Sequence, residues 1–327
     1  MRIVYLGTPS DAIAPLRALV AAGHDVALVI TQPDRRRSRG AGSDPSPVKQ
    51  AARALGLRVL TPEKARDVVD EVRASGAQLG VVVAFGQLLP VALLDALPNG
   101  FVNLHFSLLP RWRGAAPVER AILAGDEETG VDLMRIEAGL DTGPVYARVR
   151  VPIDSAETAG ELHARLVDAG TELLVDHLPA VPTTEPSPQV GEPTYADKLT
   201  VDEFRLDPRR PAAELVRVVR AGNPRPGAWL RVGARRVKVW RAHTADDLDA
   251  REDAPSGTID RHAALGTNDG VLVLDEVQPE GKRVMAGAAW RAGLRGDVHV
   301  EPVDHADPAE PVDHPDPADH ADPVEPG

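Results

Sequence analysis

A chain of 327 residues, 43% of them hydrophobic and 3% aromatic, is long enough for about two domains with sizeable aliphatic cores. The absence of cysteine excludes disulfides and thiolate metal sites, and no apolar run is long enough to span a bilayer. The net charge of −12 speaks against a polyanionic partner only until its distribution is read: residues 301–327 hold nine acids and no Lys or Arg, residues 1–300 carry −3, and residues 205–245 hold eleven Lys/Arg against two acids.

The N-terminus, MRIVYLGTPS, has no basic stretch ahead of a long apolar run. It reads as a first strand rather than a signal peptide, so the chain is expected in the cytoplasm. Residues 3–6 form a buried strand ending at Gly7, a helix-like stretch covers 11–22, and 26–30 is a second strand. Ser46 with Pro47 behind it is an N-cap with proline at the first helical position, opening a helix through Leu55. A third strand over 57–60 precedes a second helix-start signal at Thr61, Pro62 and Glu63, and 79–84 is a wholly apolar fourth strand. Strands follow at 101–104, 131–136 and 145–151, with a short helix at 117–124. Thr158 with Glu161 predicts a capping box for a helix running towards Leu178. This alternation predicts an α/β domain over 1–178, built of parallel βαβ units with a sheet covered on both faces.

Residues 179–203 read as a linker, because 179–193 hold five prolines and little periodicity. A second domain is expected over 204–300: a helix at 211–220, then short strands at 228–232, 236–240, 257–259 and 271–277, suggesting a small β-barrel. The acidic Pro/His tail, 301–327, is low in complexity, with Asp-His-Ala-Asp-Pro at 304–308 and again at 319–323, and is expected to be disordered. His305, His314 and His320 suit a weak metal site or a plain solvated tail, and the composition favours the latter.

The densest motif runs from Asn103 to Pro117. Asn103 and His105 stand two apart on a strand, hence on one face, where an open α/β sheet collects ligands at its carboxyl ends. An amide beside an imidazole can stabilise an oxyanion; the same spacing equally suits a core histidine and a turn asparagine. In Gly139-Leu140-Asp141-Thr142-Gly143-Pro144, an Asp between glycines can orient an imidazole, or can simply make a turn.

Asn103-x-His105, the following Ser107, Leu108, Leu109 and Pro110, and the later Gly139-Leu140-Asp141-Thr142-Gly143 together resemble the folate-dependent formyltransferases. Residues 108–117, Gly7-Thr8-Pro9, Thr31-Gln32-Pro33-Asp34-Arg35, residues 45–49 and residues 124–130 are similar to the branch of that family whose acceptor is initiator methionyl-tRNA. The likeness runs in order from residue 1 to about 295 and leaves the tail without a counterpart. It implies a Rossmann-like formyltransferase domain with a mostly parallel sheet and a C-terminal OB-like barrel. It implies 10-formyltetrahydrofolate as co-substrate, no metal, no membrane, and a monomer by default. By motif position Asn103, His105 and Asp141 would be catalytic, and Ser107, Leu108, Leu109, Pro110, Phe85 and Gly86 would lie against the folate. Asn103 and a protonated His105 would donate to the developing oxyanion, and Asp141 would hold His105 and help relay the amine proton to the departing folate nitrogen. Gly7-Thr8-Pro9 lacks the three-glycine dinucleotide fingerprint.

Relatives within such a family formylate small acceptors, including sugar-nucleotide amines, so the acceptor must be read elsewhere. Arg35, Arg36, Arg37 and Arg39 sit on a loop that suits an RNA backbone, or is a solvated charge run. Arg235 and Lys238 belong to the second basic region, while Trp229 reads as core. Two basic regions favour tRNA over a sugar nucleotide, and the intact trio favours an enzyme over a folate- or tRNA-binding protein. Departures from the family pattern fall at Asp11, Ala41-Gly42, Phe106 and Asp207-Pro208, and Phe106 is expected to reshape a wall of the folate site.

Overall fold

The computed structural model describes residues 1–36, 43–245 and 255–303. In chain order the first half places β1 (Arg2–Gly7), α1 (Ile13–Ala21), β2 (Asp25–Ile30), β3 (Arg35–Arg36), β4 (Ser43–Asp44), α2 (Pro47–Ala54), β5 (Val59–Leu60), α3 (Val69–Ala74) and β6 (Leu79–Val83). It continues with α4 (Val91–Leu94), β7 (Phe101–His105), β8 (Arg113–Gly114), α5 (Pro117–Ala124), β9 (Glu128–Arg135), β10 (Val145–Pro152) and α6 (Ala159–His177). The sheet order is β10-β9-β7-β6-β1-β2-β5. Pairing is parallel from β7 to β5, and the β9–β10 edge is antiparallel. The chain leaves β1 for one side of the sheet and returns through β6 on the other, so the switch point lies between β1 and β6.

Side-chain alternation divides the interior. Ile3, Tyr5, Val81, Val83, Val102 and Leu104 face the larger core, with α1, α5 and α6. Val4, Leu6, Val82 and Phe101 face a smaller core closed by Val68, Val72 and Leu93. Asn103 and His105 share the parity of Phe101, so they rise from the smaller-core face.

Two local expectations shift. Strand pairing begins only at Val59, because Gly56 turns left-handed after α2 and the Leu57 N–H is taken by the Ala52 carbonyl at 2.9 Å. The helix signalled at Thr61 starts instead as a 3-10 turn, Ala65–Val68, with Asp67 reaching back to the Lys64 N–H at 3.1 Å, and becomes α-helical at Val69. Elsewhere local chemistry acts as read: Ser46 Oγ accepts from the Lys49 N–H at 3.1 Å, and Thr158 and Glu161 form the reciprocal cap of α6.

The second half contains β11 (Tyr195–Ala196), α7 (Ala212–Gly222), β12 (Ala228–Val232), β13 (Arg235–Thr244), β14 (Thr258–Ile259), β15 (Ala264–Gly266), β16 (Val271–Pro279), β17 (Met285–Ala286), α8 (Gly287–Ala292) and β18 (Val298–His299). The antiparallel order β12-β13-β16-β15-β14-β18, with β17 against β16, curls into a half-barrel. A bridge between Val232 and Val300 brings its two ends together. Leu215, Val218 and Val219 make α7 amphipathic, and its apolar stripe joins the larger core, which therefore runs through both halves. Among the described residues no helix is long and apolar enough to cross a membrane.

Candidate active site

β7 carries Asn103 and His105 because it is an interior strand, buried by β6 on one side and β9 on the other. His105 is the last residue of β7 rather than a residue beyond it, and is 5% exposed. Its Nε2 lies 2.9 Å from the Trp112 carbonyl oxygen. A carbonyl only accepts, so this contact keeps a hydrogen on Nε2 and makes Nδ1 the nitrogen free to gain or lose one. Nδ1 faces Asp141 Oδ2 at 3.6 Å. Asp141 Oδ2 is itself aimed by the Gly114 N–H at 2.8 Å. The Asn103 carboxamide is half-buried and hydrogen-bonds to no other described residue, which leaves its NH2 available to a ligand.

The Asp141 loop is held at its backbone. Gln189 Nε2 donates to the Asp141 carbonyl at 2.7 Å and to the Gly143 carbonyl at 2.8 Å, while Gln189 Oε1 accepts from Arg113 Nη2 at 2.6 Å. Gly143 has no alternative there: a Cβ would fall inside the Arg135 carbonyl oxygen. Trp112 is fixed on every side. Its N–H donates to Thr194 Oγ1 at 2.9 Å, its indole N–H to Asp126 Oδ2 at 2.8 Å, and the Arg111 guanidinium lies 4.5 Å over its ring. Four non-glycine residues among those described have left-handed φ: Ala84 closely follows β6, Trp112 and Asp141 flank His105, and Ala263 lies in the half-barrel. Such backbone costs about 1–3 kcal/mol per residue and clusters at functional sites.

The segment after β7 is pinned through a buried ion pair. Asp132 on β9 stands opposite His105, is 0% exposed, and accepts from the Leu109 N–H at 2.9 Å and from Arg148 Nη2 at 2.6 Å. Burial pushes the Asp132 carboxyl up, against the pull of Arg148 and the Leu109 N–H, while the hydrogen bonds to Asp132 push Arg148 up. Ser107 Oγ donates to the Arg111 carbonyl at 2.6 Å.

Of the residues expected against folate, Ser107, Leu109, Pro110 and Phe85 are buried, Leu108 is half-buried, and Gly86 is exposed with φ +80°. They stand at the carboxyl ends of the adjacent strands β6 and β7. Apolar side chains that remain in solvent flank the same ends: Leu88 at 77%, Val91 at 58% and Leu140 at 47% exposed. Phe106, expected at a wall of the cleft, instead packs in the larger core with its ring 5.0 Å from that of His163. Two cavities lie apart from the trio: about 330 Å³ where α5 meets α7, and about 220 Å³ beside Arg236, Lys238 and Gln278.

On the basic regions, Arg35 and Arg36 form β3 against β4, at whose base Lys49 Nζ meets Asp34 Oδ1 at 2.7 Å. Arg37 and Arg39 lie outside the described residues, as do His305, His314 and His320. Arg235 is exposed on the half-barrel, and Lys238 is half-buried with its ammonium 3.6 Å over the Trp240 ring. Trp229 is core, as read, but Arg236 also stacks 4.1 Å from its centroid. Among the described residues no group of three or more His, Asp or Glu is placed to hold a metal.

Asp126, Asp132, Arg148, Gln189 and Thr194 escaped the sequence reading. Asp132 did leave a signal, being the one acid inside the apolar run 131–134. Gln189 and Thr194 lie in or beside the proline-rich stretch read as a linker, where nothing in the spacing marks them.

The chain matches the formyl transferase family model over residues 1–178 and the formyl transferase C-terminal domain model over 198–295. It is 47% identical over 300 residues to methionyl-tRNA formyltransferase of Thiobacillus denitrificans, spanning 90% of this chain and 96% of that protein. It is 45% identical over 286 residues to methionyl-tRNA formyltransferase of Ruegeria pomeroyi, spanning 86% and 93%. Its fold is similar to HypX from Aquifex aeolicus in complex with tetrahydrofolic acid (TM-score 0.62, 18% identity, 89% of this chain and 47% of that one). It is also similar to WlaRD, a sugar 3N-formyl transferase (TM-score 0.63, 17% identity, 86% and 99%).

Proposed function

The chain belongs to the formyl transferase family, and we infer that it moves the formyl group of 10-formyltetrahydrofolate to the α-amine of initiator methionyl-tRNA. The observation that carries this reading is the approach of Asp141 to the exchangeable nitrogen of His105, two residues along β7 from a carboxamide with no hydrogen-bond partner among the described residues. The amine nitrogen attacks the formyl carbon, and a tetrahedral centre forms with charge on the former carbonyl oxygen. The Asn103 NH2 and the His105 Nδ1–H supply donors for that charge, each worth about 3–4 kcal/mol of barrier in comparable sites. The N–C bond to the amine is kept, the bond to folate N10 breaks, and the amine proton passes to N10 by way of His105, whose cationic form Asp141 balances. Leu88, Val91 and Leu140 suit the flat apolar rings of a folate at the carboxyl ends of β6 and β7.

The acceptor reading rests on relatives about 45% identical over most of the chain, together with the basic half-barrel. All three reacting groups come from one chain, which fits a monomer. The test is turnover with 10-formyltetrahydrofolate and either methionyl-tRNA or a sugar-nucleotide amine. Formylation of the tRNA alone is expected. Turnover of the sugar nucleotide alone, or of neither, overturns the reading.

A further inference from the structure

Residues 301–327 are nine consecutive tripeptides, each an Asp or Glu, then Pro or His, then Val, Ala, Pro or Gly. The repeat sets one acid in every three residues with no Lys or Arg between them. The family match ends at residue 295, ahead of this segment. The first repeat is described, and it is seated on cations. The Glu301 N–H donates to the Arg231 carbonyl at 3.2 Å, and Glu301 Oε2 is 4.0 Å from Arg231 Nε. Arg205 donates to the Glu301 and Pro302 carbonyls at 3.4 and 3.1 Å, and Arg209 to that of Val303.

Those anchors continue into a cationic face. Arg231 pairs with Arg236 across β12–β13, and Trp229 pairs with Lys238. Arg205 and Arg236 both lie over the Trp229 ring, at 5.4 and 4.1 Å. Arg225, Arg235, Arg236 and Lys238 have no carboxylate partner among the described residues. Burial, with repulsion from Arg236 and Arg225, pulls the Lys238 ammonium down. Glu280 lines the same hollow as Arg236 and Lys238, and the face stays net cationic with it counted. The remaining eight tripeptides, residues 304–327, supply eight acids and no Lys or Arg. A chain of that many residues has a contour of at most about 80 Å, ample to pass the about 33 Å of the ten residues of β13.

We propose that the acidic repeats dock on this face of their own half-barrel and compete with polyanions for it. An RNA with contacts elsewhere on the enzyme then outcompetes the acids more readily than one that meets this face alone. This rests on the tRNA reading for its meaning, though not for its geometry. A tether of this length gives an effective concentration of about 1 mM. Against a weak electrostatic affinity of about 0.1–0.2 mM, that predicts about 5- to 10-fold competition.

The probe is a fluorescein-labelled 20-nucleotide polyuridylate, which has no acceptor amine. At about 50 mM salt, a chain ending at Val303 is expected to bind it about 5- to 10-fold more tightly than the full chain. A full-length chain with the eight acids from Asp304 to Glu325 changed to Asn or Gln is expected to match the shortened one. The difference should fall below about twofold at about 500 mM salt, and vanish when Arg235→Glu and Arg236→Glu are present. Equal affinities at low salt, or an Asn/Gln tail that behaves like the acidic one, overturn the proposal. So does a difference that persists with Arg235→Glu and Arg236→Glu, or one that grows with protein concentration, which would place the tail on a second copy. Formylation of methionyl-tRNA by the same variants separates the two readings: a probe effect without formylation sinks only the acceptor assignment, and formylation without a probe effect sinks only the docking.

Discussion

Replacing Asp141 by Asn changes one charge and almost no volume. The Asn oxygen can still accept the Gly114 N–H, which Asp141 Oδ2 takes at 2.8 Å, and since that same oxygen faces His105 Nδ1, a neutral amide oxygen replaces a carboxylate oxygen beside the ring. That oxygen accepts from an Nδ1–H but carries no charge to balance the imidazolium, which forms when Nδ1 gains a proton while Nε2 keeps its hydrogen towards Trp112. The variant therefore loses the charge that supports the cationic ring, the form that presents a proton to the oxyanion. The lost attraction across 3.6 Å is about 1 kcal/mol with water-like screening and about 5 kcal/mol at an effective dielectric of about 20. Since His105 is 5% exposed, the upper part of that range applies, and at about 1.4 kcal/mol per decade the formyl-transfer step should slow by about 10²–10³. The assay is single-turnover transfer from limiting labelled 10-formyltetrahydrofolate to saturating methionyl-tRNA. The melting temperature should stay within about 2 °C of the parent. A transfer rate within threefold of the parent, in a normally folded variant, would refute the claim that Asp141 acts through the charge of His105.

Gln189→Ala releases the carbonyls of Asp141 and Gly143 together, so turnover should fall about tenfold with a stability loss of about 1–3 kcal/mol. Gln189→Glu keeps the Arg113 contact but cannot donate to either carbonyl, and should lose similar activity if the loop, rather than the arginine, matters. Asp132→Ala strands Arg148 and the Leu109 N–H, costing about 3–5 kcal/mol in urea unfolding. Asp132→Leu combined with Arg148→Met should lose much less. Glu119 is held above the usual carboxylate range by burial, partly offset by its own backbone N–H, His163 and Arg120. A carboxyl raised on folding stabilises fully below its unfolded value, and that contribution is lost as pH rises through the raised one. Glu119→Gln should therefore raise the melting temperature by about 2 °C at pH 8 and leave it unchanged near pH 4; an equal gain at both pH values would contradict the argument.

What could be read in advance was whatever a local signal specifies. The all-apolar runs at β1 and β6, the Ser46 and Thr158 caps and the stripe of α7 each depend on neighbours within a few residues, so sequence carries them. Asn103 and His105 were visible as a pair because a strand has period two. Asp141 is remote from them; its glycine-flanked setting left an imidazole partner and a plain turn both open, and the resemblance decided between them. The elements that aim Asp141 left no comparable trace: a Trp112 carbonyl is chemically anonymous, and Gln189 acts by reaching two main-chain oxygens that spacing cannot reveal. Phe106 marks the converse limit, since its position beside the motif suggested the cleft while strand parity sends it to the opposite face.

The proline-rich crossing has a practical consequence for anyone dissecting this enzyme. Cutting after residue 178 would retain Asn103, His105 and Asp141 yet remove the amide of Gln189, the hydroxyl of Thr194 and the edge pairing of Arg113 with Tyr195. A fragment stopped there keeps the reacting groups without the strap that seats them. One carried through Ala196 keeps both, so the strap of the site ends beyond residue 178, where the match to the first family model stops.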